Sequence, residues 1–205
     1  MRPHGLTGLA KAVRVSCNVY FARLGIELGP DKLYDMTRRY RLSRIPPPKK
    51  LAEDLPDCAY GQGTIQVSPL EMARVVAVIA NGGAMMMPHF VKEVRLRDDV
   101  LESVEPAEMS RPLSPESAAA LRRMMADVVR TGTGRGVFGG VNVSVAGKTG
   151  SAENEQADRM PHSWFVGFAP VGDPRIAFAV VVENGGYGRA VAGPICKEIV
   201  RAALQ

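Results

Sequence analysis

The sequence predicts an α/β domain in which an antiparallel sheet is flanked by helices. Its first half carries apolar residues at helical spacing, interrupted by Gly and Pro stops. Its last third changes to short strand-like apolar runs, followed by a closing helical segment. Because 46% of the 205 residues are hydrophobic, the chain can form one core, and we interpret residues 1–205 as part of a single domain.

Helices and one irregular segment are predicted for the first 58 residues. The apolar spacing indicates helices over 6–15 and 18–28, with Gly29 ending the second and Pro30 opening a third. Residues 45–58 are predicted to be irregular, because Pro46-Pro47-Pro48 favours an extended backbone and no helix can run through it.

The best-marked element is a helix that begins after Ser68. Ser68 is the expected N-cap, Pro69 lies in the first turn, and Glu71 completes a capping box. The Gly82-Gly83 pair ends this helix, since glycine accepts the left-handed conformation of a helix stop. A hairpin or pair of strands is predicted within 91–104. A second capped helix is predicted to start at Ser114-Pro115-Glu116 and run through Val129, ending near Gly132.

The last third predicts three consecutive strands, over 141–146, 163–169 and 176–182, and a helix from Pro194 to Leu204. Short connections make these strands an antiparallel meander. Residues 176–182 are apolar on both faces, which favours a central strand covered by helices on each side. Residues 134–139 satisfy the pattern GxGxxG, but they follow a helix and precede a strand, so we interpret them as a loop.

Composition excludes several function classes. The net charge is +5, but like charges never run longer than a pair such as Arg38-Arg39, so no nucleic-acid partner is expected. Cys17, Cys58 and Cys196 are isolated and lack histidines at ligand spacing, which argues against a metal site or a disulfide framework. Cys17 is expected to be an inert buried thiol. No cofactor is expected either.

Three short motifs occur in order along the chain: Ser16-Cys17-Asn18, Gly61-Gln62-Gly63 and Lys148-Thr149-Gly150-Ser151. Each alone is weak, since a lysine at a strand end is commonly a solvated charge and an asparagine at a helix start is commonly a cap. The secondary structure expected around two of these motifs strengthens the case that they are functional. The first motif lies at a helix start, and the third at the end of the first meander strand, where Gly150 lets a ligand approach the backbone.

With longer stretches added, the chain resembles the class B penicillin-binding transpeptidases, especially their actinobacterial members. These stretches run in the family's order and at its spacing over nearly the whole chain. They are residues 60–63, 67–73, 80–83, 145–153, 162–170 and 180–186. The resemblance implies the α/β fold shared by penicillin-binding proteins and serine β-lactamases.

The resemblance also implies a chemistry, in which an acyl-D-Ala-D-Ala peptide acylates a serine and the acyl group passes to an amine of a neighbouring strand. Lys148 then resembles the cation that fixes the substrate's terminal carboxylate, with Thr149 and Ser151 offering hydroxyls across Gly150. The N–H of Ser151 resembles half of an oxyanion hole. Ser16 resembles a proton relay to the leaving amine, and Asn18 the amide that orients the substrate.

The family's acylating serine stands three residues before a lysine, and this sequence has no such pair. Three residues before its seven lysines stand only Gly, Pro, His or Val. We therefore expect that the Ser-x-x-Lys helix, the first two sheet strands and the membrane anchor belong to a missing N-terminal part. Two consequences are expected: no acylation by penicillin, and an open apolar edge on the strand 176–182.

Two other functions stay open. A serine β-lactamase-like hydrolase is disfavoured, because no Glu-x-x-Leu-Asn occurs between Ser16 and Lys148. A non-catalytic binding module or gene remnant would fit the missing serine. The expected ligands are peptidoglycan stem peptides and β-lactams, and the family's partners are membrane proteins of cell wall synthesis. The family faces the outside of the plasma membrane, although this sequence contains no signal peptide or apolar run of about 18 residues.

Overall fold

The computed structural model describes residues 4–154 and 158–204, which form helices and short antiparallel sheets. In chain order the elements are α1 (Leu9–Val15), α2 (Asn18–Leu28), α3 (Pro30–Arg39), α4 (Pro48–Leu51), α5 (Leu55–Tyr60), α6 (Pro69–Ala80), β1 (Met85–Met86), β2 (Glu93–Leu96), β3 (Asp99–Ser103), β4 (Glu108–Ser110), α7 (Pro115–Thr131), β5 (Ala146–Ala152), β6 (His162–Ala169), β7 (Ile176–Val182) and α8 (Ala192–Leu204). Within this part of the chain, no helix has the length and apolarity needed to cross a membrane.

The helix signals in the sequence are largely confirmed. In the capping box of α6, the Glu71 N–H donates to Ser68 Oγ at 3.3 Å and the Ser68 N–H donates to Glu71 Oε2 at 2.8 Å. The helix ends as expected, because Gly83 has a φ of 97° and its N–H bonds to Val78 O at 2.8 Å. The predicted hairpin within 91–104 is β2 and β3, and residues 134–139 form a turn.

The prediction of an irregular segment over 45–58 is wrong. It contains the short helix α4 and most of α5. Pro48 is the first helical residue of α4 and does not lie inside it. At that position a missing N–H costs nothing and the fixed φ suits the helix, so the proline run precedes a helix instead of excluding one.

The meander is confirmed, with strand order β5-β6-β7 and antiparallel pairing throughout. Its first strand is shifted, because β5 spans Ala146–Ala152 and not 141–146. Lys148 therefore lies inside β5, paired with Val166, and not at the strand's end. The preceding valines pack into the core outside regular structure. Helix α8 begins at Ala192, two residues before the predicted Pro194.

Two apolar clusters hold the sheet between helices. One contains Phe165, Phe178 and the α8 residues Cys196 and Val200, and the other joins Phe168 to α6 and α7. Helices lie on both sides of β7, which confirms the prediction that helices cover both faces of this strand. The central position predicted for it is wrong, because β6 is the middle strand and β7 pairs only with β6 in the described chain. The expected open edge is therefore present, and its tendency to associate stays a prediction.

Candidate functional site

Ser16 and Asn18 lie on either side of Cys17 where α1 passes into α2. Ser16 is the C-cap of α1 in a left-handed conformation, with φ 54° and ψ 58°. Cys17 is 7% exposed, as expected for an inert buried thiol. Asn18 is the first residue of α2 and its side chain is exposed. The buried cysteine thus anchors the connection in the core, with Ser16 half-buried on one side of it and Asn18 exposed on the other.

The structure brings Ser16 and Lys148 into direct contact. The Lys148 Nζ donates to Ser16 Oγ at 2.6 Å and to Thr149 O at 2.8 Å, although the two motifs are 132 residues apart in sequence. No described hydrogen bond joins Asn18 to either residue. The first and third motifs therefore meet at one point, as the resemblance implied.

The environment of Lys148 makes its proton easier to lose. Burial lowers the pKa of its ammonium from 10.5 to about 8, because the charged form loses water on entering the cleft. In the described residues no carboxylate lies within ion-pair distance of it. Lys148 is thus still mostly protonated at neutral pH, and its pKa lies closer to neutrality than that of an exposed lysine, as suits a group that gives up a proton during a reaction.

The rest of β5 presents hydroxyls and a close backbone. Alternation places Thr149 and Ser151 on the same face of the strand, and the Ser151 side chain is exposed. Ser151 Oγ accepts a hydrogen bond from the Gly188 N–H at 3.4 Å. Gly150 pairs with Trp164, and a Cβ on Gly150 would lie 3.0 Å from the Trp164 Cβ. The half-buried Trp164 packs against the core cluster on the α6 side.

The Gly61-Gln62-Gly63 motif supports this strand from the side. The Gln62 amide donates to Ser151 O at 3.2 Å. The turn is held by Asp54, whose carboxylate accepts from the Thr64 N–H at 2.7 Å. Gly63 has a φ of 77°, and a Cβ there would lie 2.6 Å from the Asp54 carboxylate. Glycine is therefore required for the turn that delivers Gln62 to β5.

Sequence reasoning missed two residues at this site. Thr133 follows α7 and its hydroxyl lies 2.7 Å from the Thr149 hydroxyl. Gly188 precedes α8 and packs directly on the backbones of Gly150 and Trp164. Glycines on both sides of Thr133 predict a tight turn, but they give no sign of the strand that the turn contacts.

A separate concavity lies away from these motifs. It has a volume of about 600 Å³ and is lined by Tyr34, Arg38, Arg41, Leu42, Ser43 and Ile45. None of these belongs to the motifs. The chemistry of Ser16 and Lys148, and not the depth of a cavity, identifies the candidate site.

Comparison with known families shows which family the chain belongs to. Residues 2–201 match the family described as penicillin binding protein transpeptidase domain. The chain belongs to the penicillin-binding transpeptidase family. It is 34% identical to the peptidoglycan D,D-transpeptidase PbpA of Mycolicibacterium smegmatis, over 99% of the chain and 45% of that protein. The chain thus spans about half the length of its relatives.

Solved structures of penicillin-binding proteins share the fold. A ceftriaxone acyl-enzyme complex of penicillin-binding protein A from Mycobacterium tuberculosis is 32% identical, with a TM-score of 0.88 over 97% of this chain and 49% of that one. A complex between the penicillin-binding protein PBP2 and MreC from Helicobacter pylori is 26% identical, with a TM-score of 0.80 over 97% of this chain and 40% of that one. The predicted α/β fold of the penicillin-binding family is confirmed.

Proposed function

We propose that this chain forms the substrate-binding and proton-relay side of a peptidoglycan D,D-transpeptidase site, without the acylating nucleophile. The contact between Lys148 Nζ and Ser16 Oγ carries this proposal. An ammonium with a lowered pKa against a hydroxyl is the arrangement that proton transfer to a leaving amine requires. The family membership supports peptidoglycan as the context.

The proposed roles follow from the positions of the side chains. Lys148 supplies positive charge beside β5 for the substrate's terminal carboxylate, and the hydroxyls of Thr149 and Ser151 donate hydrogen bonds to it. Gly150 lets the peptide approach the strand. Ser16 relays the proton, and Asn18, exposed at the start of α2, orients the peptide carbonyl.

We propose further that the chain alone forms no acyl-enzyme. A hydroxyl becomes an effective nucleophile only beside a base that takes its proton and with a substrate held against it. The sequence offers no serine three residues before a lysine on a helix. The serine that does contact a lysine, Ser16, caps a helix and fits the relay role.

Fluorescent penicillin tests this. The purified chain should carry no label that survives denaturation, whereas the mycobacterial relative, treated in parallel, serves as the positive control. A covalent label on the chain at comparable yield contradicts the proposal. Circular dichroism on the same sample verifies that the unlabelled chain is folded.

Calorimetry separates a binding site from an inert remnant. An N-acetylated peptide ending in D-Ala-D-Ala should bind the chain non-covalently, and Lys148→Ala should abolish binding because the carboxylate loses its cation. Lys92→Ala, which removes an exposed lysine on the hairpin side, is the matched control. No binding by the unmodified chain, or equal binding by both variants, refutes the substrate role.

Location and partners follow from the same proposal. In a longer polypeptide this domain faces the outside of the plasma membrane, where stem peptides are found, and works beside membrane proteins of cell wall synthesis. The MreC complex of the Helicobacter pylori relative supports partners of that kind.

A further inference from the structure

Thr133 contacts two parts of the candidate site at once. Its backbone N–H donates to Arg14 O at 3.2 Å, two residues before Ser16, and its hydroxyl lies 2.7 Å from the hydroxyl of Thr149. The preceding Gly132 makes the first contact possible, because a Cβ there would overlap Arg14 O. The turn after α7 is therefore fixed against both the Ser16 connection and β5.

The hydroxyl pair has a specific hydrogen-bonding capacity. Each hydroxyl has one proton to donate and two lone pairs. When one of the two donates to the other, the acceptor keeps its own proton free and more polarised, because hydrogen bonds in a chain strengthen one another. The Thr149 hydroxyl, which this contact holds, lies on the same strand face as the Ser151 hydroxyl. A carboxylate, which only accepts, fits such a group of donors.

We propose that Thr133 is an additional positioning residue of the carboxylate subsite, where its hydroxyl holds the Thr149 hydroxyl in one orientation. The ligand class is a peptide with a free C-terminal carboxylate. This inference rests on the proposed function of the site. It assigns a role to a residue outside the three sequence motifs.

Binding measurements on the 205-residue chain test the proposal. By calorimetry with the N-acetylated D-Ala-D-Ala peptide, Thr133→Val should weaken binding by up to about 10-fold, because the Thr149 hydroxyl loses the hydrogen bond that orients it. Thr133→Ser, which keeps the hydroxyl, should stay within about 3-fold of the unmodified chain. Thr131→Val is the matched control, since among the described residues that exposed hydroxyl donates only to Asp127 O of its own helix. Unchanged affinity in Thr133→Val overturns the proposal.

A second measurement needs no ligand. The χ1 angle of Thr149, obtained from NMR scalar couplings of its methyl carbon, should be a single rotamer in the unmodified chain and in Thr133→Ser. It should become averaged in Thr133→Val. A Thr149 that stays in one rotamer in Thr133→Val overturns the orienting role.

The two measurements distinguish the two proposals. If the unmodified chain binds no peptide but Thr149 loses its fixed rotamer in Thr133→Val, the proposed function fails and the orienting role of Thr133 stands. If the peptide binds and Thr133→Val matches the unmodified chain, the proposed function stands and the role of Thr133 is refuted.

Discussion

Replacing Lys148 with methionine should stabilise the fold at neutral pH, and the size of this gain should depend on pH. Methionine keeps much of the length and the apolar stem but removes a charge that is buried without a carboxylate partner in the described chain. A fall of the pKa from 10.5 to about 8 corresponds to about 3 kcal/mol of lost stability below pH 8. Losing the hydrogen bonds to Ser16 and Thr149 costs about 1 kcal/mol each, so a net gain of about 1 kcal/mol is expected at pH 7.

The direction of the pH effect follows from proton linkage. Because the folded-state pKa lies below the unfolded one, the unfolded chain binds more protons between pH 8 and 10.5, and the stability of the unmodified chain rises there with pH. The difference from Lys148→Met should therefore shift by about 2.5 kcal/mol between pH 7 and 10, in favour of the unmodified chain.

Urea unfolding at each pH measures this difference. The single tryptophan, Trp164, lies in β6 next to β5 and reports on the sheet by fluorescence. Lys92→Met, at an exposed position, should change the free energy of unfolding by less than about 0.5 kcal/mol at any pH. A difference between Lys148→Met and the unmodified chain that is constant from pH 7 to 10 would refute the reasoning.

Two further predictions concern the scaffold of the site. Burial alone would raise the pKa of Glu71, but hydrogen bonds from Ser68 and Ser43 lower it to about 2. Glu71→Gln should therefore cost about 2 kcal/mol at pH 7 in urea unfolding, and this cost should vanish as the pH falls from 4.5 to 2; a cost that persists at pH 2 contradicts the assignment. Gly188→Ala should cost more than about 2 kcal/mol, because its Cβ would overlap backbone oxygens of β5 and β6. Gly172→Ala, where a Cβ meets nothing within 4 Å, is its control, and equal thermal melting of the two variants would show the loop to be adaptable.

Local signals predicted the helices well, because their determinants lie within a few residues. The capping box of Ser68 and Glu71 and the glycine stop after α6 need only neighbouring side chains, and both were found. The prediction of an irregular segment over residues 45–58 was wrong for an equally local reason. The position of Pro48 relative to the helix start, and not its presence, decides whether it interrupts a helix.

The sheet and the site depend on contacts distant in sequence. The valines before β5 have higher strand propensity than its glycines, yet β5 contains Gly147 and Gly150 because pairing with β6 decides the strand. The contact of Ser16 with Lys148 spans 132 residues, so only the family resemblance predicted it. Thr133 was missed because a threonine in a turn gives no sign of the strand it will contact.

The left-handed backbone conformation of Ser16 bears on which substitutions would make this domain more stable. A residue that ends a helix in this conformation is most easily a glycine, and any other costs about 1–2 kcal/mol. Serine here is locally unfavourable, and so is the buried charge of Lys148 that it contacts. One hydrogen bond thus joins two destabilising features, the left-handed conformation of Ser16 and the buried charge of Lys148. Such a pairing is expected where a protein gives up stability for activity. If this chain were selected for stability alone, we expect Ser16 and Lys148 to be among the first residues replaced.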